Sequence, residues 1–234
     1  MTLQEEPPVV PTHLGFIVDG NRRWAQSHGL PAYEGHLAGY NALWDVVLAA
    51  IDAGVRYVSL YTFSTENWKR AESEVNNLMK LMMRLFKTDL GRLIDEDIRL
   101  VVLGSREGLP AGMSEAIDKS MAATAHCRRG TVAVCFNYGG QQEIVQAVRD
   151  IMNEKHDSTE VTAELIEQHL YSSDVPEVDI IVRTSGEMRL SNFMLWRSAY
   201  SELMFIDKYW PDMTKSDVTA ILDEYTKRKR RFGG

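Results

Sequence analysis

The sequence predicts a single α/β domain, with about six mostly parallel strands and helices on both faces. Short apolar runs of strand length alternate with longer stretches of helical period along the whole chain. The runs are apolar throughout rather than alternating with polar residues, the pattern of parallel strands covered on both sides. No Gly/Ser linker, low-complexity tract or internal repeat divides the 234 residues, a length that one core can serve. Repeated β-then-α order of this kind gives a doubly wound sheet. A flexible segment is expected over residues 1–12 and one folded domain over 13–234.

The first strand is expected over 13–18, where the apolar run Leu14 to Val18 stops at Asp19-Gly20-Asn21. A helix over 37–53 leads to a second strand over 56–63, "RYVSLYTF", rich in aromatic and β-branched residues. A helix over 73–94 carries the Met-rich apolar stripe "VNNLMKLMMRLF". Strands over 98–103 ("IRLVVL") and 131–136 ("TVAVCF") flank a helix over 112–126. Helices over 140–154 and 162–169 precede strands over 178–182 ("VDIIV") and 203–206 ("LMFI"), and a last helix is expected over 214–231.

Composition narrows the function. Hydrophobic residues at 44% and charged residues at 25% are those of a soluble globular protein. A net charge of −7 excludes nucleic-acid binding through bulk charge, so any polyanion must be held by locally gathered arginines. No apolar run is long enough to span a bilayer. The N-terminal "MTLQEEPPVVPTH" has no basic stretch before an apolar one and does not read as a signal peptide. Cys127 and Cys135 sit in no metal or redox spacing and read as reduced core thiols. A cytoplasmic protein is expected.

Ligands of open α/β sheets bind beyond the carboxyl ends of the strands, so the residues there decide function. After the first strand, Gly20 permits close backbone approach, a helix start offers free N–H groups, and Arg22 and Arg23 can meet phosphate oxygens bidentately. Asp19 beside them would repel a phosphate unless a cation intervenes, and Mg²⁺ is the usual one. This is neither a Walker A loop nor GxGxxG. After the second strand, Ser64, Asn67 and Arg70 fall three residues apart and share one face of a first helical turn, with Glu74 a turn further on. A capping box of Ser64 and Asn67 accounts for Ser64 but leaves Asn67 and Arg70 unexplained. After the fifth strand, Arg183, Arg189 and Ser191 surround a Ser-Gly turn and suit a diphosphate. Glu202, before the last strand, reads as an exposed acid or as an outer partner of a metal and arginine site. Nothing resembles a Ser-His-Asp set, a zinc site or a nucleophilic cysteine. Two anionic groups and one divalent cation fit these residues best.

The stretches "HLGFIVDGNRRWA", Gly35-His36, "LYTFSTENWKRAESEV", "NYGG", "RTSGEMRLSNFMLW", "AYSE", "WPD" and "RRFGG" occur in an order that resembles the cis-prenyltransferases, in particular the undecaprenyl diphosphate synthases, from His13 to Gly234. The resemblance implies repeated condensation of isopentenyl diphosphate onto an allylic diphosphate such as farnesyl diphosphate, with Mg²⁺, on a homodimer with a hydrophobic product tunnel. The Asp-Asp pairs of trans-prenyltransferases are absent here, in agreement. On matching positions it implies that Asp19 holds Mg²⁺ and assists departure of the allylic diphosphate. Gly20, Arg23 and His36 would form that diphosphate's pocket, with Asn67, catalytic, and Arg70 near the reacting ends. Asn21, Arg22, Trp24, Ser64, Glu66 and Trp68 complete the expected substrate-binding set. Arg183, Arg189 and Ser191 would bind isopentenyl diphosphate, and Glu202 would support the metal. Arg231-Phe232-Gly233 resembles an ending that reaches a neighbouring subunit's phosphate site. The stripe over 73–94 would line the tunnel. The basic run from Lys227 to Arg231 reads as a solvated helix end or as a patch for anionic lipid headgroups at a membrane that takes up the product.

Three positions depart from the family's pattern: Arg22 stands in the place of a glycine, Ala32 in that of an arginine that binds the allylic diphosphate, and Arg197 in that of a glutamine. A non-catalytic partner subunit is the rival reading, but it would have little need of Asp19, Asn67, Arg70, Arg183 and Arg189 together. A nucleotide-binding module is disfavoured because no acid is placed to read a base or ribose.

Overall fold

The computed structural model describes residues 10–228. Its elements run β1 (His13–Ile17), α1 (Asn21–Ser27), α2 (Ala32–Asp52), β2 (Tyr57–Ser64), α3 (Glu72–Lys87), α4 (Leu90–Asp95), β3 (Ile98–Leu103), α5 (Met113–Thr124), β4 (Gly130–Tyr138), α6 (Gly140–Asn153), α7 (Ala163–Gln168), β5 (Ile180–Arg183), β6 (Glu202–Phe205) and α8 (Lys215–Lys227). Short 3-10 turns lie at Thr65–Lys69, Ser158–Glu160 and Trp210–Asp212. All six strands are parallel, in the order β3-β4-β2-β1-β5-β6. From β1 the chain adds β2, then β3 at the edge and β4 between them, and after β4 it crosses to the other side, so β1 lies between β2 and β5. The reversal opens a crevice at the carboxyl ends of these three strands.

The two faces of the sheet are covered differently. Leu14 and Phe16 of β1 point into the larger core, with Val46, Val47 and Ala50 of α2, Leu81 and Leu85 of α3, and residues of α5 and α8. Burying such a side chain contributes about 1.5–3 kcal/mol. On the opposite face Ile17, Tyr61 and Cys135 pack mainly against Val175, Val178, Phe193 and Met194, which belong to no helix. Helices on both faces are expected from sequence, but irregular chain closes much of the second one.

That irregular chain is anchored by a buried ion pair, which explains Arg197. Its Nη1 donates to Glu143 Oε1 at 2.5 Å, and the Tyr138 hydroxyl donates to Glu143 Oε2 at 2.5 Å. The remaining Arg197 donors reach the carbonyl oxygens of Tyr171 and Val175. Both side chains are almost fully buried. Removing one partner of such a pair costs about 3–5 kcal/mol.

Several boundaries differ from expectation. Val10 packs on the larger core and Pro11 is buried, so packed chain begins before residue 12. The sequence predicts only a helix start after Asp19, and the structure closes it as α1. α2 begins at Ala32, five residues early, because Pro31 at φ −66° caps it and has no N–H to leave unsatisfied. The helix expected over 73–94 is two helices. The Thr88 and Asp89 N–H groups both return to the Arg84 carbonyl, and the Asp89 carboxylate is held by the Tyr40 hydroxyl at 2.5 Å and Arg84 Nε at 3.2 Å. The last helix is described to Lys227, and Arg231-Phe232-Gly233 lies outside the described residues.

His13 gives the fold a pH dependence. Its ring is fully buried, with Nδ1 2.9 Å from the Pro176 carbonyl and Nε2 2.6 Å from Ser59 Oγ. A carbonyl accepts, so Nδ1 carries the proton, and the neutral ring is satisfied with Nε2 accepting from the serine. Burial pushes its pKa down to about 4. The unfolded chain therefore takes up this proton near pH 6.5 while the folded one resists it. The stability from His13 is complete above about pH 6.5 and is lost as pH falls toward 4, by roughly 3 kcal/mol. NMR titration should find the ring neutral at pH 5.5, and a midpoint near 6.5 would contradict this burial.

Candidate functional site

A cavity of about 840 Å³ opens at the carboxyl ends of β2, β1 and β5. Its mouth is polar, and its depth runs between α2 and α3 along Leu43, Leu78, Leu81, Met82 and Leu85. The stripe expected on the helix after the second strand thus supplies both cavity wall and core, because Leu81, Met82 and Leu85 also join the larger core cluster.

Asp19 sits where β1 ends. Thr184 Oγ1 accepts from the Asp19 N–H at 3.0 Å and donates to the Asp19 carbonyl at 2.6 Å, which fixes the backbone. The carboxylate then accepts from the Gly20 N–H (2.7 Å) and Arg183 Nη2 (2.9 Å), with Arg23 Nη2 at 3.3 Å. Burial alone would raise its pKa, but Arg183, the Gly20 N–H and Arg23 outweigh that and hold it below the usual carboxylate range. Gly20 has φ +105°, and an added Cβ would fall 2.8 Å from the Tyr209 ring, so a side chain is excluded on both counts. Gly35 permits the approach of α1 and α2, since its Cβ would fall 2.0 Å from the Asn21 carbonyl oxygen.

The segment after β2 is a 3-10 turn rather than the first turn of an α-helix. With three residues per turn, Ser64, Asn67 and Arg70 align, and all three line the cavity. The capping box forms, and the Asn67 side chain takes part in it, accepting from the Ser64 N–H at 3.0 Å. Capping therefore accounts for Asn67 as well as Ser64. Arg70 Nη1 donates to Glu74 Oε1 at 2.8 Å, and the same carboxylate meets His36 Nε2 at 3.3 Å and Arg22 Nη1 at 3.7 Å. Burial lowers the His36 pKa and Glu74 only partly opposes it, so the ring is neutral at pH 7.

After β5 the chain is unusually left-handed. Ser185 (φ +73°), Ser191 (+49°), Asn192 (+67°) and Met194 (+43°) all occupy a region that L side chains rarely adopt. Arg183 holds this loop: its Nη1 donates to the Arg189 carbonyl at 2.6 Å and to Ser191 Oγ at 2.7 Å. Its Nε is buried without a partner. Glu187 bridges the two sides of the mouth, accepting from Arg23 Nη1 at 3.1 Å and from Arg189 Nη1 at 2.6 Å.

Three expected site residues do not meet the cavity. Trp24 donates to Asp212 at 2.6 Å and stacks on His28, fastening α1 to the turn at 210–212. Trp68 donates to Asn137 Oδ1 at 2.8 Å and lines a neighbouring groove. Glu202 is paired with Ile180, three residues below Arg183, about 10 Å along the strand. Its carboxylate accepts from Arg228 Nη1 at 3.1 Å, so within one chain it does not join Asp19. Sequence reasoning missed Thr184, Glu187 and Asn192. All three lie inside the quoted "RTSGEMRLSNF", but neither residue type nor spacing marks them there.

Among the described residues no group of three or more His, Cys, Asp and Glu side chains is placed to hold a metal. A magnesium ion asks less of a protein: one or two carboxylates, with waters and phosphate oxygens. Asp19, ionised and lining the cavity, fits that demand.

Residues 17–233 match the family model described as putative undecaprenyl diphosphate synthase. The chain belongs to this family. The isoprenyl transferase of Thermotoga maritima is 44% identical over 227 residues, covering 96% of this chain and 97% of that protein. That of Listeria monocytogenes is also 44% identical, covering 99% and 93%. Among solved structures, lavandulyl diphosphate synthase from Lavandula x intermedia, in complex with dimethylallyl diphosphate, matches with a TM-score of 0.91 at 29% identity, covering 96% of this chain and 99% of that one. A probable undecaprenyl diphosphate synthase from Campylobacter jejuni matches with 0.81 at 28%, with the same coverage. The chain thus has the fold of a prenyltransferase family. Among the described residues no helix is long and apolar enough to cross a membrane.

Of the departures from the family pattern, Arg22 lines the cavity while Ala32 does not. Arg22 is well exposed and lies at long range from Glu74, free to turn toward an anion. Arg22→Gly is expected to raise the KM for a prenyl diphosphate substrate several-fold, and Ala32→Arg alone to change it little. The double variant should return near the starting value, a coupling of about 1 kcal/mol or more in steady-state kinetics. Strict additivity would show that Arg22 does not stand in for the missing arginine.

Proposed function

We propose that this prenyltransferase is a cis-prenyltransferase. It condenses isopentenyl diphosphate sequentially onto an allylic diphosphate such as farnesyl diphosphate. The product is a medium-length cis-polyprenyl diphosphate near fifty to fifty-five carbons, such as undecaprenyl diphosphate, a precursor of the lipid carrier for cell-wall glycans. One observation carries this reading: three adjacent strand ends bring five arginines and Asp19 to the mouth of a cavity whose depth is apolar. Lavandulyl diphosphate synthase, of the same fold, binds dimethylallyl diphosphate, which supports an allylic diphosphate as one substrate.

The chemistry follows from the charges. The bond between the allylic carbon and oxygen breaks and its electron pair leaves on the diphosphate. The double bond of isopentenyl diphosphate attacks that carbon, and the resulting cation loses a proton to a diphosphate oxygen, which restores a double bond. Negative charge grows on the leaving diphosphate, where Arg22, Arg23, Arg70 and the first N–H groups of α1 face it. Neutral His36, with Nε2 against Glu74, adds no charge to the mouth. Arg189 and Ser191, held by Arg183, bind the second diphosphate. Magnesium, held by Asp19, would offset charge on the leaving group. The prenyl chain grows away from the polar mouth, between α2 and α3, where exclusion of water protects the reacting carbon. The protein works as a homodimer from the cytoplasm, touching a membrane surface to release its product.

The pure protein, incubated with farnesyl diphosphate, radiolabelled isopentenyl diphosphate and Mg²⁺, should give butanol-extractable label, and chelation of the metal should abolish it. Asp19→Ala should abolish turnover while calorimetry still detects isopentenyl diphosphate binding, since Arg183 keeps its hold on the 189–191 loop. A rate loss below about tenfold, roughly 1.4 kcal/mol, would remove Asp19 from that role.

Arg189→Ala should weaken isopentenyl diphosphate far more than the allylic substrate, by the roughly 1.5–3 kcal/mol of a charge-assisted hydrogen bond. Equal weakening of both, measured as separate KM values, would mean that the two diphosphates are not divided between the strand ends in this way.

A further inference from the structure

Asn192 ties its own loop to the start of α6 and to the 3-10 turn after β2. It holds a left-handed backbone at φ +67° between two other strained residues. Its carbonyl accepts from the Gly140 N–H at 2.7 Å, and its Oδ1 accepts from the Gln141 N–H at 2.8 Å, which satisfies two donors left open at the start of α6. Its Nδ2 donates to Glu66 Oε1 at 3.0 Å and to Gln142 Oε1 at 3.1 Å. Glu66 lies in the 3-10 turn that carries Asn67 and leads to Arg70, while Asn192 follows directly on Ser191 in the loop held by Arg183. One side chain therefore spans the mouth from the β2 end to the β5 end, with α6 as its footing. The arrangement is specific in its polarity. Glu66, held ionised by its hydrogen bonds against the effect of burial, can only accept. The α6 N–H groups can only donate, so the bridge must offer an acceptor on one side and a donor on the other, as an amide does.

We propose that Asn192 is a positioning residue that sets the 65–70 turn and the 183–191 loop in register, so that the two diphosphate subsites are ordered together. This rests on the two-diphosphate reading above. Its test separates the bridge from that reading by using the substrate-free protein as well as the reaction.

Asn192→Asp keeps the acceptor for Gln141 and tolerates the left-handed backbone, but it sets a carboxylate against Glu66. Hydrogen exchange on the free protein should then quicken in 65–70 as well as in 189–195, with the strands unchanged. KM for both diphosphates should rise about tenfold, the usual worth of a hydrogen bond to a charged group. Adding Glu66→Gln supplies a donor to the new carboxylate and should bring exchange in 65–70 and 189–195 back to near that of the starting protein. Asn192→Gly, which keeps the backbone and removes the bridge, serves where the aspartate variant folds poorly and should show the same coupled loosening without rescue by Glu66→Gln. Exchange that quickens only in 189–195, or a double variant no better than Asn192→Asp, would overturn the bridge. If the starting protein forms no prenyl product, the reading of the reaction fails, and exchange alone decides the role of Asn192.

Discussion

The guanidinium of Arg183 is the constraint on which the rest of the site depends. It is the last residue of β5, almost fully buried, and it cannot shed its charge. A buried cation of this kind must be surrounded by acceptors. Those acceptors are the Asp19 carboxylate at the end of β1 and the Arg189 carbonyl and Ser191 hydroxyl of the following loop. Satisfying one charge thus fixes the acid of one strand end and the strained loop of the next. The sheet register, which sets Ile17 beside Arg183, makes the meeting possible.

A second consequence is the charge balance at the mouth. Each arginine that faces the cavity already has a carboxylate near it: Asp19 and Glu187 for Arg23, Glu74 for Arg22 and Arg70, Glu187 for Arg189. These carboxylates keep like charges apart while no anion is present, and they lower the contrast between free and occupied states. On the proposed reading, an entering diphosphate would replace acids at the arginines rather than meet bare charge. Binding can then be strong enough to orient the substrate without holding the released diphosphate.

Much of this was legible in the residues. The apolar runs marked all six strands, because burial on both faces of β1, β2, β3, β4 and β5 keeps polar positions few, and only β6 at the edge is partly exposed. The rule that ligands meet strand ends then led to Asp19, Arg23, Asn67, Arg70, Arg183 and Ser191, and all of them line one cavity. What stayed hidden depended on contacts distant in sequence. The break after Lys87 rests on Tyr40 reaching Asp89, and helical periodicity runs straight through it. The tryptophans of "NRRW" and "ENWK" read as ligand contacts, yet their indole N–H groups are taken by Asp212 and Asn137. Glu202 lies close in sequence to the arginine loop but at the opposite level of the sheet, which only strand register reveals. Arg197 was unexplained until Glu143, fifty-four positions away, was seen beside it.

The place of β1 in the sheet has a bearing on how the protein is made. Its neighbour β2 follows soon after, but its other neighbour, β5, lies so far along the chain that His13 and Asp179 are 166 positions apart where they hydrogen-bond. A ribosome releases the N-terminal half long before that partner exists, and parallel pairing over such a span is slow once it does. Until then the β1 edge, meant for the centre of the sheet, stands open with Leu14, Phe16 and Ile17 on its two sides. Because Arg183 arrives with β5, the nascent chain carries Asp19 and the arginines of α1 without the residue that orders them. The site is therefore assembled last, and synthesis must shelter a central strand through most of its course.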